Sequence, residues 1–378
     1  MFRSIFSLLM VLLTLGISDN NDNTFDLEVN LLQTFDNSVL MAISPDGTKM
    51  LIEDWGKKGW PLRLVEIGTW KTLNNYTFKD RIITARFFAD SQTLFFYQDN
   101  SIFNLKTGEH NKLKRDLRGD TYLSDIYPVN GRNLLVRRPV ESIRTQDLVL
   151  VELPSYKENK KVPYATQQRE LPPPTSEFWS RPSLEFGFEI SNDRRILAYS
   201  FDHVLVCRRT KDLEVLWIKR INPPLRAYSI SISPNGNYLA AILANAIYKP
   251  MRKEYYIAVY DGNTGADIAR IPLTDASDYT VSPNGRLLAF SESKYDKAKD
   301  EWVVNIQIYE LPTCRKLVSI RYDSIKNSSL SFLERGLSID FTQDGRYIIT
   351  CGNGITKIWE LRGGVAETEI TPHNISSK

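Results

Sequence analysis

Apolar residues in this chain fall in short runs, and one recurring turn separates them. Val39-Leu40-Met41-Ala42-Ile43 leads into Ser44-Pro45-Asp46-Gly47 and out to Met50-Leu51-Ile52. Tyr228-Ser229-Ile230-Ser231-Ile232 leads into Ser233-Pro234-Asn235-Gly236, and Ser282-Pro283-Asn284-Gly285 leads out to Leu287-Leu288-Ala289-Phe290. Thr342-Gln343-Asp344-Gly345 and Pro128-Val129-Asn130-Gly131 are weaker copies. Period-two alternation on either side of a turn predicts two antiparallel strands. Proline at the second position presets φ for a type I turn, and glycine closes it at positive φ. A third run ends in an aromatic and an acid, as in Tyr260-Asp261, Tyr309-Glu310 and Trp359-Glu360. A short fourth run follows, such as Ile268-Ala269-Arg270-Ile271.

The turns begin near positions 44, 88, 128, 191, 233, 282 and 342, with Phe88-Ala89-Asp90-Ser91 and Ser191-Asn192-Asp193-Arg194 as degenerate members. Four short strands in about 40–45 residues make one blade of a β-propeller. The two long spacings hold a Pro-rich insertion, Pro163 to Pro182, and a polar one, Tyr322 to Gly336. The expected fold is therefore all-β: a seven-bladed β-propeller of four-stranded antiparallel blades. The last unit offers three strands. The run Phe25 to Leu32 is expected to pair beside Thr356–Leu361, completing blade seven and hiding a sheet edge.

Composition adds limits to this picture. The 378 residues are 42% hydrophobic and 25% charged, enough apolar mass for a large core. Arg3 precedes an apolar run, Ile5 to Ile17, that is too short to span a bilayer of about 30 Å as a helix. Gly16 and Ser18 suit a signal-peptidase site. The expected organisation is a signal peptide at 1–18, a single propeller at 19–364 and a C-terminal tail at 365–378. The expected location is secreted or periplasmic, with no stable membrane insertion after cleavage. Loss of Arg3 leaves 47 Lys+Arg against 45 Asp+Glu, which gives no argument for nucleic acid as a partner. Cys207, Cys314 and Cys351 make no even framework and no CxxC motif, so stability is expected from packing.

The alternating run, the Ser-Pro-Asp/Asn-Gly turn and the aromatic-acid strand end resemble the WD-repeat propellers and their bacterial YVTN-type and TolB-like relatives. The resemblance covers about residues 25–363. It implies a seven-bladed interaction platform, in an exported bacterial setting more than a eukaryotic signalling one. The Gly-His pair that opens a typical repeat is absent, so the family's buried His-Asp network does not carry over. Only Trp359-Glu360 approximates the Trp-Asp pair.

No G-x-S-x-G elbow, H-E-x-x-H helix or phosphate-binding glycine loop is present. His110, His203 and His373 supply no metal cluster, and no cofactor is expected. The sharper signal lies in loops joining second and third strands, which project on one face of a propeller. Four of them are basic and aromatic. They nominate Trp55, Lys57, Lys58 and Trp60 in blade one, and Arg137 and Arg138 in blade three. Lys249, Arg252, Lys253 and Tyr255 follow in blade five, and Tyr295, Lys297 and Trp302 in blade six. Exposed aromatics beside Lys and Arg favour a partner with anionic or π-rich groups. The expected function is non-catalytic binding of a protein or other macromolecule through this upper face. Two alternatives stay open: a lyase, hydrolase or oxidoreductase with its site in the central channel, and a TolB-like component of an envelope complex.

Overall fold

A computed structural model describes residues 27–55, 59–82, 84–113, 126–129, 132–142, 145–163, 166–167, 185–201, 203–222, 225–245, 255–273, 278–326, 337–352 and 354–363. The expected signal peptide, most of the Pro-rich insertion and the tail lie outside the described residues. Seven separate four-stranded antiparallel sheets are present, each in simple sequential order except the last. Blades one to six occupy 38–77, 85–112, 126–162, 185–220, 225–273 and 279–326. Blade seven combines three strands within 338–362 with the strand Glu28–Phe35. Among the described residues, no helix is long and apolar enough to cross a membrane.

The ring follows from what lies between the sheets. Seven hydrophobic clusters occupy the seven interfaces between neighbouring blades, including one that joins blade seven to blade one. Middle strands are apolar on both faces, and their alternation sorts side chains between two neighbours. In Lys49–Asp54, Leu51 packs towards blade two while Met50 and Ile52 pack towards blade seven. In Leu287–Asp296, Leu288 and Phe290 face blade five while Leu287 and Ala289 face blade seven.

Closure is as the sequence predicts. Glu28–Phe35 runs antiparallel to Ile355–Arg362, with Leu31 opposite Trp359 and Phe35 opposite Thr356. Phe35 is buried in the interface between blades seven and one. The strand ends differ in detail from the sequence reading. Arg137 and Arg138 lie within the strand Asn133–Ser142, and Tyr295 and Trp302 face each other across two ten-residue strands. The start of the polar insertion is also strand, since Arg315–Lys326 runs past Tyr322. Lys294, Tyr295 and Lys297 are exposed near the tip of the blade-six hairpin, so its composition reads as loop.

The recurring turn has one geometry. In blade one, Ser44 Oγ donates to Asp46 Oδ1 at 2.6 Å and accepts from the Lys49 amide at 2.9 Å. The same Ser/Thr–Asp/Asn contact recurs at Ser191–Asp193, Ser233–Asn235, Ser282–Asn284 and Thr342–Asp344. The strand-end acid works similarly one turn later. Asp261 Oδ1 accepts from the Asn263 and Thr264 amides and from the Thr264 hydroxyl.

Glycine in the turn answers two demands. Gly47 has φ of 69°, and a Cβ there would lie 2.3 Å from Cβ of Gln343 in the next blade. Gly47→Ala should therefore destabilise the fold by about 2 kcal/mol or more, the left-handed backbone cost plus the displacement of blade seven. Equilibrium unfolding in urea, compared with the parent, measures it.

Candidate functional site

Two regions concentrate unusual side chains. The first is the upper face, defined by the connections between second and third strands. Trp55 and Trp60 flank Arg81, whose guanidinium carbon lies 5.5 Å and 5.2 Å from the two ring centroids. Glu53 anchors this stack from beneath: it is 1% exposed, and accepts from Arg81 Nε at 3.1 Å and from Trp55 Nε1 at 3.0 Å. Trp55 itself is 44% exposed. Its ring lies against Gly354 of blade seven, so the cluster bridges blades seven, one and two. Beside it a groove of about 670 Å³ runs over Phe35, Asn37, Asp54 and Arg63. Arg63 stacks on Phe35 and pairs with Asp54 at 2.6 Å.

The other nominated residues spread around the ring. Arg137 is buried, its guanidinium 4.5 Å from the Phe188 ring in blade four. Arg138 pairs with Glu158 at 2.8 Å. Tyr295 is exposed, with its ring 5.4 Å from that of the half-buried Trp302 and its hydroxyl on Asp300. Lys297 is exposed at the tip of the same hairpin. Tyr255 opens the strand Tyr255–Asp261, opposite Ala244 and Leu273. Lys57, Lys58, Lys249, Arg252 and Lys253 lie outside the described residues. The structure thus brings Trp55 and Trp60 together and sets Tyr295 and Trp302 beside each other on blade six. Sequence reasoning missed Arg81, because attention to loops within blades passed over the connection between blades one and two.

The second region is the central channel, a cavity of about 460 Å³. Its wall carries Arg86 from blade two, Tyr127 from blade three, Glu189 and Arg194 from blade four, Asp278 from blade six and Asp340 from blade seven. Arg86 stacks on Tyr127 at 3.9 Å and donates to the Ile126 carbonyl at 2.7 Å. Asp278 accepts from the Ile339 and Tyr279 amides at 3.0 and 2.9 Å. Asn192 reaches across the ring to the Ser44 carbonyl at 2.9 Å, and Arg194 reaches the Phe87 carbonyl at 3.1 Å. Both bonds narrow the lower mouth. The signal for this wall was an acid between apolar neighbours on innermost strands, as in Ile339-Asp340-Phe341.

Removal from bulk water raises all three carboxylic acids. Asp278 is pushed up to about 6 by burial, against the pull of its two amide donors. Asp340 is raised well above the ordinary range by burial and then by the charges of Asp278 and Glu189. Its surface is open to the channel, but the surrounding walls keep it from bulk solvent. Glu189 is raised by burial, which outweighs Arg86 and Arg194. Arg194 is lowered to about 10 by burial and by Arg86.

One constellation looks catalytic and is not arranged so. Ser101 Oγ lies 2.6 Å and Asp99 Oδ2 3.1 Å from the same ring nitrogen of His110, Nε2. A serine relay needs the acid and the nucleophile on opposite nitrogens. His203 is buried at a blade edge, its Nδ1 beside the Leu225 carbonyl. Among the described residues no group of three or more His, Cys, Asp or Glu is arranged to hold a metal ion.

No protein-family model and no curated protein sequence matches the chain. Among solved structures it is similar to the β-propeller domain of Cps50 (Swd1) from Myceliophteria thermophila. The TM-score is 0.51 at 11% identity, over 89% of this chain and all of that one. At that identity the likeness concerns the fold alone. The protein is a seven-bladed β-propeller.

The channel acids set a pH dependence. Their raised values mean that the folded state holds protons that the unfolded chain has released. Stability should therefore fall as pH rises from about 4, the ordinary carboxylate value, through about 6 for Asp278 and higher for Asp340. Asp340→Asn should melt above the parent at neutral pH and converge with it towards pH of about 4. Thermal unfolding followed by circular dichroism across that range checks both trends.

Proposed function

We propose that this propeller is an exported, WD-repeat-like binding module. In this reading it is non-catalytic and captures a protein partner on the upper face, along the arc of blades six, seven, one and two. The observation that carries the reading is the stack of Trp55, Arg81 and Trp60 held from below by buried Glu53. Tryptophan and arginine dominate the residues whose truncation weakens protein interfaces most. Here Trp55 and Trp60 adjoin the ends of two paired strands and Arg81 is held by Glu53, so little conformational freedom remains to be lost on binding. The groove over Phe35 and Arg63 extends the surface next to Trp55. The blade-six hairpin adds Tyr295 with exposed Lys294, Lys297 and Lys299. A shared fold with a WD-type propeller supports such a role without deciding it. Export is supported by Arg3 and the apolar run behind it.

The triple variant Trp55→Ala, Trp60→Ala, Arg81→Ala tests the surface. Cross-linking and mass spectrometry on the parent should join a partner to the upper-face lysines. The variant should lose those cross-links, with partner affinity reduced at least about 30-fold. Its melting temperature should also fall, because the substitutions leave the buried Glu53 carboxylate without its donors, so binding is compared at a temperature where circular dichroism shows the variant folded. Undiminished capture by the folded variant would remove the upper face from the proposal. Export is checked separately: N-terminal sequencing of protein recovered outside the cytoplasm should begin at Asp19, and a mature chain beginning at Met1 would refute cleavage.

A further inference from the structure

The charges of the channel are divided by blade, and this division is functional in form. In a ring of seven, the boundary between blades six and seven stands opposite blade three. Asp278 and Asp340 flank that boundary. Arg86 and Arg194 come from blades two and four and flank Tyr127 of blade three. One wall thus carries two carboxyl groups and the facing wall two guanidinium groups, with Glu189 of blade four beside the latter. The two walls do not neutralise each other by contact. Arg86 and Arg194 donate their hydrogen bonds to backbone carbonyls, Ile126 and Phe87. Asp278 spends its own on backbone amides.

Two groups are left over. The Asp340 carboxylate projects into the cavity with no hydrogen bond or ion pair to any described residue. Arg194 Nε is buried and has no partner. A buried donor or acceptor without a partner is destabilising, and more so when charged. An apolar side chain at these positions would avoid that cost. Arg194 is costly in a second way. It occupies the turn position that is Gly47, Gly236, Gly285 and Gly345 in other blades, at a left-handed φ of 62°. The arginine gives up the glycine's ease of backbone geometry, and its side chain lines the channel.

We propose that the channel is a binding site for a small zwitterion carrying an ammonium group at one end and a carboxylate at the other. Its cationic end rests on Asp278 and Asp340, and its anionic end on Arg86 and Arg194. A ligand of this kind supplies the missing partner to Asp340 and a counter-charge to the basic wall in one molecule. The cavity of about 460 Å³ suits a molecule of amino-acid size. The cross-ring bond from Asn192 narrows the lower mouth, so entry is from the upper face. This site is independent of the Trp55–Arg81–Trp60 surface.

The test uses the ω-amino carboxylates from glycine to 6-aminohexanoate as probes, with the matched alkylamines and alkylcarboxylates as single-charge controls. Isothermal titration and thermal shift are read on the full folded protein at neutral pH. At least one amino carboxylate should bind saturably at millimolar concentration and raise the melting temperature, while its amine and carboxylate counterparts bind at least about tenfold more weakly. Asp340→Asn, which removes no bond in the folded protein, should weaken that binding by at least about tenfold without lowering the melting temperature. Asp278→Asn provides a second reading should Asp340→Asn fail to fold. The proposal is overturned if no amino carboxylate binds, if an amine alone binds as tightly, or if the folded aspartate variant binds as the parent does.

Discussion

Every sheet in this protein is apolar on both faces, and that single constraint determines its shape. A blade such as 279–326 cannot expose either face to water, so it needs a neighbour on each side. A line of such blades would leave two bare faces at its ends. A closed ring leaves none, and the twist of each sheet lets seven of them meet. The seven clusters share aliphatic middle strands and carry two to four buried aromatics each, the most between blades one and two.

Much of this was legible along the chain because the turn is a local object. Ser, Pro, Asp or Asn, and Gly each have a separate stereochemical task, and all four tasks are visible without tertiary knowledge. Where blades two and four read weakly, the geometry persists with other residues in the glycine place. Ser91 and Arg194 take left-handed φ of 54° and 62° there. The ring count followed from the number of turns, and the pairing of the first strand beside Thr356–Leu361 from an unpaired edge.

The functional surfaces were less legible for the opposite reason. Arg81 joins two tryptophans through contacts set by the crossover between blades, which no local pattern encodes. Arg137 looks like a loop cation in sequence, yet it packs on Phe188 from the next blade. The channel acids lie 62 residues apart at Asp278 and Asp340, and Glu189 is farther still. Only the ring brings them round one axis. Upper-face loops draw attention by composition. The channel does so by electrostatics, since its carboxylates are held above their ordinary pKa range and its arginines face them without direct pairs.

The strand Glu28–Phe35 gives the ring a particular order of assembly. Its partner, Ile355–Arg362, lies more than 300 residues further on. This first described strand must therefore wait for its partner until nearly the whole chain has followed it. Blades two to six can each settle against a predecessor, whereas the seam between last and first forms only once, at the end. Contacts of such sequence separation are entropically the slowest to form. The final fastening cannot occur before the strand Ile355–Arg362 has been made.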